Sequence, residues 1–205
     1  MSPDANPPVA PRAAARPGML LVVSGPSGAG KSTVCRELLK RVPGAVWSVS
    51  ATTRAPRGQE ADGCDYYFVS RPRFEEMIRA GELLEWAEYV GNLYGTPGEP
   101  VLRALAAGRI VVMEIDVQGG RQIAERMPDS VRIFLLPPSD EELARRLAGR
   151  RTETPEQQQK RLAAARQEIE WARQWSCYPY SLVNETIERT VQDVIRIIEA
   201  ERNKP

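Results

Sequence analysis

Eight residues near the N-terminus, Gly25-Pro26-Ser27-Gly28-Ala29-Gly30-Lys31-Ser32, have the types and spacing needed to hold a polyphosphate. The run satisfies Gly-x-x-x-x-Gly-Lys-Ser/Thr. Its glycines let the backbone curl so that successive N–H groups face inward around phosphate oxygens. A helix that follows aims its positive end at the same anion. Lys31 is placed to reach the β- and γ-phosphates, and the Ser32 hydroxyl to ligate Mg²⁺. At glycine usage of about 7%, a chance match in 205 residues is on the order of 1%. The run therefore predicts binding of a nucleoside triphosphate.

The flanking elements are those such a loop requires. Met19–Ser24 is a short apolar run and Lys31–Arg41 a helical stretch, so the loop joins a strand to a helix, the opening of a parallel α/β unit. Further strands are predicted at Arg109–Asp116, Val131–Leu136 and Tyr180–Val183. Ser139 followed by Glu142 reads as a capping box that starts a helix. The final helix carries Val191, Val194, Ile195 and Ile198, a stripe that packs on a sheet. Two stretches break this rhythm. Residues 47–100 are rich in Gly, Tyr and Thr, with strands expected at Tyr66–Val69 and Leu83–Val90, and read as a mixed lobe inserted into the core. Arginines 145, 146, 150, 151, 161 and 166 crowd two helical segments within residues 139–166. The expected fold class is α/β: a P-loop core with a parallel sheet, built from residues 19–46, 101–138 and 167–205, an inserted lobe and a helical lid.

Composition narrows the chemistry. The chain has no histidine, which removes an imidazole base, a Ser-His or Cys-His nucleophile pair and a His-ligated zinc. Its 28 Lys plus Arg against 27 Asp plus Glu give a net charge of +1, so no nucleic-acid coat is expected. Cys35, Cys64 and Cys177 are odd in number and form no CxxC. They suit a reducing compartment, each as a small buried or half-buried hydrophobe. No run approaches the roughly 18 apolar residues of a membrane span. Residues 1–18, rich in Pro and Ala, read as a flexible tail, without the apolar region of a signal peptide.

The segment from Ser50 to Phe68, with Arg54, Arg57, Glu60 and Tyr66, chooses among the classes of P-loop protein. Together with Glu85-Trp86, Tyr94-Gly95-Thr96, Glu114-Ile115-Asp116-Val117-Gln118-Gly119 and the run Arg150 to Arg161, it resembles the guanylate kinase family from about Gly18 to the C-terminus. The resemblance implies Mg²⁺-dependent phosphorylation of GMP, and of dGMP, by ATP. It implies ATP contacts from Gly25 through Thr33, with Arg146 and Asn184 near the adenine. It places Lys31, Arg57, Arg150 and Arg161 on the transferred phosphoryl group. In-line transfer needs charge neutralised between donor and acceptor, and a GMP oxygen is already an anionic nucleophile, so a chain without histidine suffices.

The acceptor residues make physical sense for that substrate. Two fixed guanidiniums, Arg54 and Arg57, can grip a dianionic phosphate bidentately, and the Tyr66 and Tyr94 hydroxyls can add neutral hydrogen bonds. The alternative use of both tyrosines is as lobe core. Guanine offers N1–H and N2–H₂ as donors and O6 as acceptor; by resemblance Glu85 takes the donors, with Ser50 and Thr96 as hydroxyl partners. Adenine would set a lone pair against that carboxylate. Glu60 and Asp116 join the GMP-binding set by the same resemblance. Which of Glu114 and Asp116 meets Mg²⁺ and which the guanine, the sequence leaves open, as it does whether Arg151 or Arg150 enters the site.

Two departures concern loop geometry. The family pattern has Gly directly before the Glu of the phosphate loop, whereas this chain reads Gly58-Gln59-Glu60; the lid reads Gly149-Arg150-Arg151 in place of Gly-Arg-Gly. Arg145, Arg151 and Arg166 are expected on a solvated face. Two other readings share the fold: a kinase of a sugar phosphate, opposed by Glu85, Ser50 and Thr96, and a silent phosphopeptide-binding module, opposed by Lys31, Ser32, Arg57, Arg150 and Arg161. Small-molecule nucleotides are the expected partners, without nucleic acid or membrane, in a bacterial cytoplasm; oligomeric state is open.

Overall fold

A computed structural model describes residues 17–89, 91–148 and 155–204. The elements, in chain order, are β1 (Met19–Ser24), α1 (Lys31–Arg41), β2 (Ala45–Trp47), β3 (Ser50–Thr52), β4 (Tyr66–Phe68), α2 (Arg71–Arg79), β5 (Leu83–Tyr89), β6 (Asn92–Pro97), α3 (Gly98–Ala106), β7 (Ile110–Glu114), α4 (Val117–Arg126), β8 (Val131–Leu136), α5 (Asp140–Ala148), α6 (Pro155–Trp175), β9 (Tyr180–Val183) and α7 (Ile187–Arg202).

A five-stranded parallel sheet ordered β2-β7-β1-β8-β9 forms the centre. Strand β1 is buried on both faces, so it reads as a continuous apolar run. Leu21 and Val23 face a layer with α1 and α7, where Val34, Leu38, Val191, Val194 and Ile198 are buried; Leu20 and Val22 face Val101 and Ile123 of α3 and α4. The register sets Val23 beside Glu114, bringing the carboxyl end of β7 level with the mouth of the glycine loop. Open α/β sheets collect ligands at such strand ends.

The inserted lobe is a second sheet, β4-β3-β6-β5, with β3 parallel to β4 and β6 antiparallel to both β3 and β5. It closes on α2 through Ala51, Phe74, Met77, Leu83 and Leu93. Trp47 belongs to β2 in the central sheet, so the lobe begins after it, one residue later than its sequence suggests. Helix α6 runs on to Trp175, past the lid boundary expected at 166; Ala165 with Leu162 packs on Leu143 and Leu147 of α5, and Ala172 on Val117 and Phe134 of the core. One helix thus packs on both α5 and the core, without a break at 166. Strands β4 and β7 are shorter than expected, ending at Phe68 and Glu114.

Only half of the expected capping box forms. The Ser139 hydroxyl accepts from Glu142 N at 3.2 Å, but the Glu142 carboxylate turns forward to Arg145 and Arg146, which hold its pKa down at about 2. Arg145 and Arg166 are exposed, as expected, and pair with Glu142 and Asp140. Cys35 is buried and Cys177 half-buried; Cys64, expected to be at least partly covered, stands exposed in the turn before β4. No helix among the described residues is long and apolar enough to cross a membrane.

Candidate active site

The glycine loop takes its shape from backbone conformations that only glycine adopts freely: φ is +148° at Gly25, +89° at Gly28 and +90° at Gly30. Gly30 caps α1 without a side-chain hydrogen bond, so the first-turn N–H groups remain oriented toward an anion. Lys31 Nζ donates to the carbonyls of Gly25 at 2.6 Å and Pro26 at 3.1 Å, lying back along the loop it serves. Helices α5 and α6 rest on the same loop. Leu143 and Leu147 border Gly28, and Arg161 Nη2 donates to Ser27 Oγ at 2.9 Å.

Ser32 Oγ donates to Glu114 Oε1 at 2.7 Å, a hydroxyl and a carboxylate side by side at the end of β7. Asp116, two residues on, does different work. It is the N-cap of α4, accepting from Gly119 N at 2.8 Å. Glu114 thus stands beside Ser32 of the glycine loop, whereas the charge of Asp116 acts on the Glu85 carboxyl. Hard oxygen donors such as Ser32 and Glu114 suit Mg²⁺, which keeps several waters and takes the rest of its shell from phosphates.

In the lobe, Glu85 on β5 is 4% exposed, and its Oε1 accepts from Thr96 Oγ1 at 2.6 Å. A register shift between Leu83 and Glu85 brings Glu85 opposite Thr96. Burial pushes the Glu85 carboxyl up to about 7; Asp116 adds to the rise, while Thr96 and Arg126 oppose it. Such a group is a strong acceptor once ionised. Ser50 lies half-buried on β3, in register with Tyr66 of β4.

Arg54, Tyr66 and Tyr94 also converge. The Arg54 guanidinium lies 5.3 Å from the centre of the Tyr66 ring and engages the Tyr94 side chain; the two tyrosine rings meet edge-on at 6.2 Å. Both tyrosines are half-buried, so packing and hydroxyl presentation coexist. Glu60 is engaged by the neighbouring arginines. Both its oxygens go to Arg54 at 2.9 Å, one also takes Arg57 N at 2.7 Å, and Arg54 holds its carboxyl below the usual range. A carboxylate would repel a phosphate; here it orients the arginine that can bind one. The displaced glycine of this loop is accounted for as well. Gly58 takes φ +56° in a turn closed by Glu60 N to Arg57 O at 3.1 Å, leaving Arg57 exposed.

Asn184 lies directly behind the glycine loop. It is 1% exposed, its Nδ2 donates to Ala29 O at 2.7 Å, and its Oδ1 accepts from Thr190 at 2.9 Å. The amide braces the glycine loop from behind. Arg146 bridges Glu142 at 2.7 Å to the Asn184 carbonyl at 3.2 Å. Asn184→Ala would leave a buried carbonyl and a buried hydroxyl unpaired, costing about 3 kcal/mol. A thermal melt is expected to show Tm lower by about 10 °C; an unchanged Tm would remove the brace. Arg150 and Arg151 lie outside the described residues.

One carboxylate here escaped notice in the sequence. Glu168, half-buried on α6, has a carboxyl that burial pushes up to about 7, with Lys31 lowering and Asp116 raising it. Its signal was the seven-residue step from Arg161, two helical turns along one face.

Known proteins place this geometry. The profile of the family "Guanylate kinase" matches residues 18–201. The guanylate kinase of Thermobifida fusca (strain YX) is 50% identical over 185 residues, 90% of this chain and 93% of that protein. That of Clostridioides difficile (strain 630) is 48% identical over 187 residues, 91% and 90% of the two chains. The crystal structure of guanylate kinase from Anaplasma phagocytophilum superimposes with a TM-score of 0.75 at 38% identity, covering 92% of this chain and 88% of that one. The likeness runs in sequence and in fold across nearly the whole chain, which belongs to the guanylate kinase family.

Proposed function

We propose the following division of labour in the family's reaction, ATP-dependent phosphorylation of GMP. The loop from Gly25 to Thr33 holds the ATP phosphates on its N–H groups, Lys31 moving from the Gly25 and Pro26 carbonyls to the β- and γ-oxygens. Arg54, oriented by Glu60, and Arg57 grip the GMP phosphate with Tyr66 and Tyr94. Glu85, Ser50 and Thr96 read the guanine, with Asp116 beside them. Arg161, and Arg150 from the lid, face the migrating phosphoryl group, while Arg146 lines the ATP side. Transfer then needs positioning and charge neutralisation, with the GMP oxygen as nucleophile and no protein base. Mg²⁺, when bound by Ser32 and Glu114, neutralises phosphate charge.

The lobe of residues 48–97 and the lid arginines close over the nucleotides, excluding water that would otherwise take the phosphoryl group. Unpaired Cys35, Cys64 and Cys177 support a reducing, cytoplasmic setting.

Glu85 carries this reading: a buried carboxylate on the lobe, hydrogen-bonded to Thr96, in a chain whose core carries a phosphate loop. An ADP-release assay with MgATP, comparing GMP, AMP, UMP, CMP and buffer, tests it. Turnover confined to GMP is expected. No turnover with any of them, from protein that still binds ATP, would favour a sugar-phosphate kinase or a silent binding module.

A further inference from the structure

Strand β5, which carries Glu85, is the edge of the lobe sheet, so one side of its backbone needs partners from outside that sheet. Helix α4 supplies them with side chains. Gln122 Oε1 accepts from Trp86 N at 3.2 Å, and Gln122 Nε2 donates to Trp86 O at 2.8 Å, the two-point exchange a neighbouring strand would make. One turn on, Arg126 Nη1 donates to the carbonyls of Leu83 at 2.6 Å and Leu84 at 3.1 Å. One turn back, Gly119 lies under the carboxylate itself, where a Cβ would come within 2.6 Å of Glu85 Oε2. Residues 119, 122 and 126 are spaced i, i+3, i+7, one face of a helix. That face grips β5 on both sides of the register shift that aims Glu85.

We infer that Gln122, together with the bare Cα of Gly119, is a specificity-positioning element: the clamp on the Trp86 peptide sets where the Glu85 carboxylate meets the base. The inference rests on Glu85 as the acceptor for guanine. Its physical content is that Glu85 lacks freedom to adjust. The side chain is buried against α4, its strand is pinned one residue away, and a displacement of β5 carries the carboxylate with it. A two-donor contact is more sensitive to that displacement than a one-donor contact, because both hydrogen bonds must stay aligned.

IMP supplies the comparison, since it keeps N1–H and lacks the 2-amino group of GMP. The quantity read is the ratio of kcat/KM for GMP to that for IMP, in the intact protein and in Gln122→Met, Gly119→Ala and Glu85→Gln. Gln122→Met keeps the side-chain length and deletes both hydrogen bonds. The ratio is expected to fall about tenfold in Gln122→Met, with the loss on KM for GMP. A similar fall is expected in Gly119→Ala, which puts a methyl group against Oε2. A ratio unchanged in both variants but lowered in Glu85→Gln would overturn the inference and leave base reading by Glu85 standing. Equal losses for GMP and IMP in both variants would also overturn it, since a merely structural role weakens both substrates alike. A ratio unchanged in Glu85→Gln would remove the base reading itself. Should Gln122→Met fail to fold, Gly119→Ala decides alone, because alanine is the better helix former at that site.

Discussion

Lys31→Ala is expected to lower kcat for GMP phosphorylation about 10³-fold, or about 4 kcal/mol of transition-state stabilisation, while the protein remains folded. The asymmetry follows from what Lys31 touches. Without nucleotide its ammonium rests on the Gly25 and Pro26 carbonyls, hydrogen bonds at a half-buried site whose loss costs about 1 kcal/mol. That corresponds to a Tm lower by about 2–4 °C in a chain of this size. In the transferring complex the same ammonium would neutralise charge that develops between donor and acceptor, inside a closed site where water cannot replace it. Steady-state ADP release and a thermal melt on one preparation separate the two effects. Near-normal turnover would sink the role of Lys31, and a collapsed melt would show it to be structural.

Glu85→Gln is expected to reduce kcat/KM for GMP by about 10³-fold with little change in the KM for ATP. The amide keeps one acceptor but sets an NH₂ against guanine's donors, and nothing else in the lobe relieves that clash. The intact protein should also show a pH dependence the variant lacks. Burial raises the Glu85 carboxyl to about 7, with Asp116 on the cap of α4 assisting and Arg126 and Thr96 opposing. With Glu85 as the proposed guanine acceptor in its ionised form, KM for GMP is expected to rise about tenfold for each pH unit below 7. The phosphate of GMP titrates identically with both proteins, which isolates the carboxyl. The sign for stability is opposite. A carboxyl whose folded pKa exceeds its unfolded value favours the fold at low pH, and that contribution is lost as pH rises from about 4.5 through 7. At pH 8 the ionised, buried group costs on the order of 3 kcal/mol, so Glu85→Gln is expected to melt no lower than the intact protein there. A lower Tm for the variant at pH 8, or a flat KM profile for the intact protein, would contradict the assigned environment.

The sequence by itself determined the features whose causes are local. The phosphate loop is written within eight residues, because glycines permit the positive φ values and the adjacent Lys31 and Ser32 supply the chemistry. Strands 131–136 and 180–183 and helix 31–41 occur at the bounds their apolar pattern predicts, since burial on both faces or one stripe is visible residue by residue. The side chains gathered around the acceptor site could be named through resemblance to a family, but their orientations could not. Tertiary structure decided that Glu114 stands by Ser32 while Asp116 caps α4, a division set by the β1–β7 register. It also decided that Glu60 serves Arg54, and that the Asn184 amide is spent on Ala29, 155 positions away. Most of all it decided the aim of Glu85, which depends on a register shift opposite β6 and on Gly119 and Gln122 of a helix more than thirty positions further along the chain. Such outcomes depend on which distant groups pack together, and a buried polar atom takes whichever partner the fold brings within reach.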